Sequence, residues 1–198
     1  MRSMLVRWVA AASILLGAAA PAMAGGRDSG TARASAAAAD FSLTIDLSDR
    51  KLYVMEGDEV VDSYSVAVGQ ARHPTPRGSF TARRIVWNPR WVPPDARWAR
   101  DKKPLPAGDP RNPMGRVKIF FSDPDYYIHG TRDVDSLGEA ESHGCVRMRN
   151  SEVIALAKRV MEHGGSSRDP GWFRRVLNRV TATQEVRLSE PVTVRVRP

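Results

Sequence analysis

The chain of 198 residues contains a single cysteine, Cys145, which follows a histidine and a glycine in the segment 142–147, SHGCVR. A second histidine–glycine pair lies upstream at 129–130. A thiol becomes an effective nucleophile when a neighbouring imidazole takes its proton, so this combination indicates nucleophilic catalysis. A lone cysteine also forms no disulfide within its own chain. We therefore predict that Cys145 attacks a carbonyl and that its thiol is alkylated faster than an ordinary thiol near neutral pH.

The residues around the sulfur suggest a role for each group. His129 closes a predicted strand, and a base approaches a sulfur most easily from a neighbouring strand, so we assign His129 as general base and acid, with His143 in support. The Gly130 carbonyl can accept the second ring N–H of His129. Gly144 permits a tight turn, in which the N–H groups of Gly144 and Cys145 can stabilise an oxyanion.

Three more residues are predicted to contact the substrate. Arg147 can bind a carboxylate through two parallel hydrogen bonds. Ser142 lies in the same segment, and Trp91 lies in a proline-rich loop. Other interpretations stay open: Arg147 as surface charge, Cys145 as a small buried apolar residue, or one cysteine and two histidines as zinc ligands. Because the zinc interpretation lacks a fourth ligand, the sequence predicts no metal site and no cofactor.

Hydrophobic periodicity predicts a mainly β fold with one or two helices. Short alternating runs from Phe41 onward favour an antiparallel sheet, half-buried at its first strand, that folds on itself as a sandwich or barrel. The clearest helix has Asn150 as its N-cap, ends at Gly164 and should pack against the sheet below Cys145. Residues 88–115 are predicted to form an ordered lid loop. The predicted strands cover 41–47, 51–55, 60–68, 79–86, 116–121, 126–128, 186–188 and 192–196, and a short second helix covers 172–180.

The N-terminal residues are predicted to direct export. Residues 1–24 have the basic start, apolar stretch and small-residue cleavage site of a secretory signal peptide. Residues 25–40 have the composition of a flexible linker, and residues 41–198 are predicted to form one domain, with a monomer as the default. The formal net charge of +8 suits an anionic surrounding. Zinc-finger spacing and basic–aromatic stripes are missing from the sequence, so nucleic acid is not a predicted partner.

Several segments together resemble the L,D-transpeptidase catalytic domain family, which has the YkuD-like fold. The resemblance covers about residues 41–198, nearly all of the chain that follows the predicted signal peptide, and implies a β-sandwich with the cysteine in an active-site groove beside a lid loop. The most specific part is the pair of histidine–glycine segments. The matching segments are IHGT at 128–131, SHGCVR at 142–147, TPRGSF at 75–80, WVPP at 91–94 and NPMG at 112–115.

The resemblance also implies a reaction on peptidoglycan. Cys145 would attack the carbonyl of meso-diaminopimelate in a donor tetrapeptide stem, D-alanine would leave, and an acceptor amine would resolve the thioester to give a 3→3 cross-link. His129 would act as base with the Gly130 carbonyl as its acceptor, and residues 41–198 would be the catalytic domain. The expected location is the periplasm or cell envelope. Carbapenem-type inhibitors are expected to acylate Cys145.

Two other functions stay open from the sequence. Water in place of the acceptor amine would make the same site an L,D-carboxypeptidase. A non-catalytic cell-wall-binding module that has kept the groove would be a different class of protein. Arg147 stands where some branches of the family carry asparagine, so the sequence leaves open whether the acceptor is a stem peptide, a protein or water.

Overall fold

Residues 41–198 are described by the computed structural model and contain eight β-strands and two α-helices. The predicted signal peptide, 1–24, and linker, 25–40, lie outside the described residues. Among the described residues, no helix combines the length and the apolar character needed to cross a membrane. The strands are β1 (Phe41–Asp46), β2 (Lys51–Glu56), β3 (Glu59–Ser65), β4 (Gly78–Trp87), β5 (Val117–Ser122), β6 (Tyr126–Thr131), β7 (Val146–Arg149) and β8 (Gln184–Arg197); the helices are α1 (Asn150–His163) and α2 (Pro170–Asn178), with a short 3-10 helix at Arg97–Ala99.

The eight strands form one sheet in the order β3-β2-β1-β8-β4-β5-β6-β7. Neighbouring strands are antiparallel except for the pairs β1–β8 and β6–β7, which are parallel. Just beyond β3, Ala67 exchanges two backbone hydrogen bonds with Arg147 of β7, at 3.0 and 2.9 Å. These bonds bring the two ends of the strand order together, and the sheet is nearly closed on itself.

The mainly β fold with two helices is confirmed, whereas the predicted antiparallel pairing is wrong for two pairs of strands. Parallel neighbours require a crossover connection. Residues 132–145 carry the chain from the end of β6 back to the start of β7, and β8 joins β1 after the two helices. The predicted closing strands 186–188 and 192–196 are one strand, whose pairing with β4 shifts register between Ala82 and Arg84.

The first strand is buried on both faces, although its alternating sequence predicted a half-buried strand. Its polar residues are covered by arginines of β8, the parallel neighbour that the sequence did not predict. Arg195 donates to the Ser42 hydroxyl at 3.1 Å, and Arg197 pairs with the carboxylate of Asp46 at 3.0 Å. A polar face can therefore be buried here because it is hydrogen-bonded.

Helix α1 packs against β5, β6, β7 and β8 and fills the core beneath the sheet. It follows β7 without a connecting loop. Its packing therefore fixes the position of the strand that begins one residue after Cys145, as the sequence predicted. Ile154 is partly buried against the core, and the fully buried residues of α1 are Val153, Leu156, Ala157, Val160 and Met161.

Asn150 is the first residue of α1 and not its N-cap, because the preceding arginine occupies the cap position. The Asn150 amide instead accepts from the Arg116 N–H at 2.9 Å and donates to the Thr131 carbonyl at 3.0 Å. A Cβ on Gly115 or Gly130 would lie 2.3 or 2.2 Å from the Asn150 Oδ1 atom. The amide thus joins the end of the lid loop, the end of β6 and the start of α1.

Helix α2 begins two residues earlier than predicted because Asp169 caps it. The Asp169 carboxylate accepts from the Trp172 N–H at 3.0 Å, and Pro170 occupies the first turn. At the other end, the Asn88 amide donates to three main-chain carbonyls at 2.7, 3.1 and 3.1 Å. Asn88 has a φ of 48°, in the left-handed region that asparagine tolerates. The start of the lid loop is therefore anchored to α2.

The lid loop between β4 and β5 is ordered, as predicted. Trp91 and Leu105 exchange two backbone hydrogen bonds of 2.9 Å across its middle. The Asn112 amide donates to the carbonyls of Pro89 and Pro106 at 2.9 and 3.1 Å. These contacts hold the loop in one shape, as the wall of a cleft above β5 and β6.

Candidate active site

Alternate residues of β4 to β8 point away from the core and form the floor of a cleft of about 1380 Å³. Cross-strand pairing aligns these residues in rows. One row runs from Glu185 through Val86, Lys118 and His129 to Arg147, each residue being paired with the next. The adjacent row consists of Arg84, Phe120, Tyr127 and, just before β7, Cys145.

A turn over residues 142–144 presents Cys145 to the cleft. The Ser142 hydroxyl accepts from the Gly144 N–H at 3.0 Å and donates to the Cys145 carbonyl at 2.5 Å. Gly144 has a φ of 109°, and a Cβ there would lie 2.9 Å from the ring of Tyr126. The Thr75 hydroxyl donates to the Gly144 carbonyl at 2.9 Å. The segment TPRG is therefore placed against the turn, and glycine is required at 144 by both its backbone conformation and the close packing.

Two expectations for this turn need correction. The N–H of Gly144, predicted to stabilise an oxyanion, already donates to the Ser142 hydroxyl. Ser142, predicted to contact substrate, borders the cleft but is only 1% exposed, and its hydroxyl is used inside the turn. Both groups therefore shape the backbone around Cys145, because a short hydroxyl side chain satisfies the nearby peptide groups before any ligand reaches it.

The Cys145 side chain is partly exposed in the cleft. Its thiol donates to the Asp125 carbonyl, with Sγ 3.2 Å from the oxygen. Burial raises the pKa of the thiol above its ordinary value, against the opposing effects of hydrogen bonds from Tyr127 and the charge of Lys118. The prediction of a fast-reacting thiol is therefore not supported. The resting protein holds Cys145 as a neutral thiol.

His129 lies in the middle of β6, with 3% of its surface exposed. Its Nδ1 atom is 2.8 Å from the Gly130 carbonyl oxygen. Because a carbonyl only accepts, Nδ1 carries the proton and Nε2 is left as the acceptor. Burial lowers the pKa of His129 to about 3, and the charges of Lys118 and Arg147 act in the same direction. The imidazole is therefore neutral, held by the carbonyl that the sequence indicated, and its role as a base stays a prediction.

His143 connects the turn to the lid loop. It is exposed, and its ring stacks on Trp98 with 4.0 Å between centroids. His73, to which the sequence assigned no role, lies 5.0 Å away on another side. Burial lowers the pKa of His143, and the charges of His73 and Arg147 add to this effect. The contacts of His143 thus support the position of the lid, and they do not orient the thiol.

Arg147 and Trp91, both predicted to contact substrate, line the cleft. The Arg147 guanidinium lies 3.2 Å from the Asp133 carboxylate and 3.4 Å from the Ser136 hydroxyl through one nitrogen. Its other N–H groups stay available to a ligand. Trp91 is 7% exposed and presents only part of its ring. Their contacts with substrate stay predictions.

Three residues beside Cys145 were given no role from the sequence: Lys118, Asp125 and Tyr127. Lys118 and Tyr127 reach the cleft because β5, β6 and β7 are neighbours in a fixed register. Alternation along β6 places Tyr127 on the same face as His129, which is a signal that the sequence contains. The position of Lys118 beside His129 depends on how β5 pairs with β6, and alternation along a single strand does not predict this pairing.

Replacing Ser142 with alanine is expected to lower the free energy of unfolding by about 2 kcal/mol, because two buried peptide groups lose their partner. Urea denaturation followed by tryptophan fluorescence measures this change. Ser151→Ala is the matched control: Ser151 is exposed on α1, and its replacement should change stability by less than about 0.5 kcal/mol. Equal small effects of the two substitutions would show that the turn does not depend on the hydroxyl.

The arrangement contains the parts needed for acyl transfer. A thiol lies on the cleft floor just before β7. A neutral imidazole with a fixed tautomer lies on β6, the strand that pairs with β7. Among residues 41–198, no group of three or more histidine, cysteine or carboxylate side chains is arranged to hold a metal ion.

Comparison with known proteins extends this description. The family model for the L,D-transpeptidase catalytic domain, YkuD, matches residues 40–193. A protein named L,D-transpeptidase YkuD in Bacillus licheniformis is 33% identical over 117 residues, which are 59% of this chain and 58% of that protein. The probable L,D-transpeptidase ErfK/SrfK of Salmonella typhimurium is 34% identical over 122 residues, 58% of this chain and 39% of that protein. The chain thus spans less than three fifths of the length of these curated relatives.

The fold is shared with a solved catalytic domain. The catalytic domain of an L,D-transpeptidase from E. faecium matches with a TM-score of 0.50 and 15% identity, over 80% of this chain and 97% of that domain. L,D-transpeptidase 3 from Mycobacterium tuberculosis, solved with a faropenem-derived adduct, matches with a TM-score of 0.46 and 16% identity, over 80% of this chain and 60% of that chain. The match of the family model spans most of the chain and includes every residue of the cleft floor, and the chain belongs to the L,D-transpeptidase catalytic domain family.

Proposed function

We propose that this protein is a peptidoglycan L,D-transpeptidase that forms 3→3 cross-links through a thioester on Cys145, with residues 41–198 as its catalytic domain. The observation that carries the proposal is a partly exposed thiol on the cleft floor, in the row of residues next to the one that contains the neutral imidazole of His129, whose Nδ1 is fixed by the Gly130 carbonyl. Membership of the family supports the substrate class. The donor is a tetrapeptide stem that carries meso-diaminopimelate and a terminal D-alanine.

The first step forms the acyl-enzyme. Nε2 of His129 takes the proton of the Cys145 thiol as the sulfur attacks the diaminopimelate carbonyl, and negative charge develops on the carbonyl oxygen. The Cys145 N–H is the main-chain donor that we assign to this oxygen, because the Gly144 N–H is already bonded within the turn. The C–N bond then breaks, His129 protonates the departing amine, D-alanine leaves, and a thioester remains.

The second step resolves the thioester. An acceptor amine enters the cleft, gives a proton to His129 and attacks the thioester carbonyl. The C–S bond breaks, the sulfur is reprotonated, and the new amide joins two stems. Because burial raises the pKa of Cys145 and lowers that of His129, proton transfer accompanies attack. A preformed thiolate–imidazolium pair is not part of this mechanism.

The cleft is large enough for a branched peptide. Its walls come from the lid loop on one side and from the turn and the loop before β6 on the other, and its volume is about 1380 Å³. We assign the periplasm or cell envelope as the location, in agreement with the predicted signal peptide at 1–24 and the net charge of +8. We also assign carbapenem-type inhibitors as acylating agents of Cys145, since the sulfur is accessible from the cleft.

The proposal is tested by incubating the protein with a purified disaccharide-tetrapeptide and identifying the products by mass spectrometry. Transpeptidation predicts a dimer that has lost one D-alanine, and a Cys145→Ala variant should form none. Loss of D-alanine without a dimer would replace the proposal with an L,D-carboxypeptidase at the same site. An unchanged substrate, with a folded protein and an added acceptor amine, would contradict an enzymatic function and favour a wall-binding module.

A further inference from the structure

Lys118 is a half-buried cation on the cleft floor. It lies in the row between Val86 and His129 and borders the cleft. Its Nζ atom is 4.3 Å from the centroid of the Tyr127 ring and 6.0 Å from that of Phe120. Within residues 41–198, it forms neither an ion pair nor a side-chain hydrogen bond. Burying an ammonium group without such partners is costly, so an unpaired one at a cleft indicates a ligand.

The other cations of the floor differ from Lys118 in this respect. Arg84 pairs with Asp123 and, at 3.6 Å, with Glu185. Arg147 pairs with Asp133 at 3.2 Å. Burial lowers the pKa of Lys118 to about 8, and the charge of Arg84 acts in the same direction. The ammonium of Lys118 is therefore the floor cation that gains most from an incoming anion.

We propose that Lys118 binds a carboxylate of the donor peptide beside Cys145, as a specificity-determining residue of the transpeptidase. The assignment of the ligand rests on the proposed function. The donor stem has two free carboxylates near the reacting carbonyl, one on the terminal D-alanine and one on the D-centre of meso-diaminopimelate. Either can pair with the Lys118 ammonium through a charge-assisted hydrogen bond inside the cleft.

The geometry also places this contact on one side of the reacting groups. Lys118 and Arg147 flank His129 in the same row, each one strand away, so their Cα atoms lie about 10 Å apart. Phe120 and Tyr127 form an aromatic surface beside the Lys118 ammonium. A carboxylate bound there lies over β5 and β6, on the side of His129 that faces away from Arg147.

Alkylation of Cys145 tests the proposal without any peptidoglycan substrate. Iodoacetate and iodoacetamide have the same reactive carbon, but only iodoacetate carries a carboxylate. We expect Lys118→Met to lower the ratio of the iodoacetate rate to the iodoacetamide rate by about fivefold, and Lys118→Arg to retain most of it. Lys158→Met is the matched control: Lys158 also lies over an aromatic ring, Phe173, at 5.1 Å, but on α1 outside the cleft.

Two alkylation results would overturn the proposal. An unchanged ratio in Lys118→Met would show that no carboxylate is attracted there. Equal slowing of both reagents would show that Lys118 acts on the thiol and not on an anion. A folded state of each variant is established by circular dichroism and by its urea midpoint, and Lys118→Arg provides a second test if Lys118→Met is unfolded.

Amidated donor peptides then identify the carboxylate. We expect Lys118→Met to raise KM for the free acid about tenfold and to change kcat less than about threefold, because the contact is a binding interaction. Lys118→Met should no longer raise KM when the donor is amidated at the carboxylate that Lys118 binds. Donors amidated at D-alanine and at the diaminopimelate D-centre therefore distinguish the two carboxylates. A rise that persists with both amides would contradict the proposal. If the wild-type protein turns over no donor, the proposed function fails while the alkylation ratio still decides the role of Lys118.

Discussion

Replacing Cys145 with alanine is expected to reduce D-alanine release from a donor tetrapeptide to the uncatalysed background. The substitution removes the atom that forms the thioester, and no other thiol exists in the chain. A Cys145→Ser variant should release D-alanine more than about 10³-fold more slowly than the wild-type protein, since a hydroxyl is a far weaker nucleophile beside a neutral imidazole. Release of D-alanine, measured by a coupled oxidase assay, gives both rates.

Stability provides the control for this prediction. Cys145 contributes a small, partly exposed side chain, so alanine should change the free energy of unfolding by less than about 1 kcal/mol. A folded Cys145→Ala variant that retained a tenth of wild-type activity would exclude the cysteine as nucleophile. The nearest alternative would then be activation of water by His129.

Replacing His129 with glutamine is expected to lower kcat/KM by about 10³-fold, within the range for loss of a general base. Glutamine keeps a polar side chain near the Gly130 carbonyl but cannot take the thiol proton. Because burial lowers the pKa of His129 to about 3, the imidazole of the wild-type protein stays neutral in mild acid. We therefore expect no loss of kcat/KM from protonation of His129 between pH 6.5 and about 4, measured as a pH–rate profile.

The matched control is His163→Gln, at the end of α1, where the ring stacks on Phe41 at 4.1 Å and lies outside the cleft. It should retain wild-type kcat/KM. Folding must be followed at each pH, because protonation of His129 also affects stability. In the unfolded chain His129 takes a proton near pH 6.5. The contribution of the buried neutral imidazole to stability is therefore complete above that pH and is lost as the pH falls toward about 3. A fall in kcat/KM as the pH is lowered through 6.5, in a protein that stays fully folded, would contradict the assignment of His129 as a neutral base.

Local patterns predicted most elements of the fold, but they did not predict β7, which has only four residues, and they divided β8 into two strands. The alternation in β1 and β2 and the helical periodicity of α1 are properties of a single segment. The partners of those strands were not predictable in the same way. The parallel pairs β1–β8 and β6–β7 depend on where distant segments meet, and they explain why Ser42 and Asp46 are buried.

The site was predictable to the extent that its residues are close in sequence. The contact of His129 with the Gly130 carbonyl involves adjacent residues and was predicted. The hydroxyl of Ser142 was assigned to substrate, whereas the turn uses it for the Gly144 N–H. Lys118 was not found, because it becomes a cleft residue only through the register of β5 against β6.

The reactivity of the thiol illustrates the same limit. A histidine near a cysteine in sequence favours a thiolate, but burial acts on both groups here. It raises the pKa of Cys145 and lowers that of His129. Both shifts favour the neutral forms, so proximity to histidine does not produce a preformed ion pair in this cleft.

Formation of a thioester on Cys145 is tested most directly by the intact mass of the protein during turnover. The donor tetrapeptide is used with its diaminopimelate side-chain amine acetylated, so that it cannot serve as acceptor, and the reaction is quenched with acid at successive times. A thioester intermediate predicts a mass increase equal to the donor minus D-alanine, located on Cys145 by peptide mapping. Release of D-alanine with no adduct at any time, or with an adduct on another residue, would contradict the thioester.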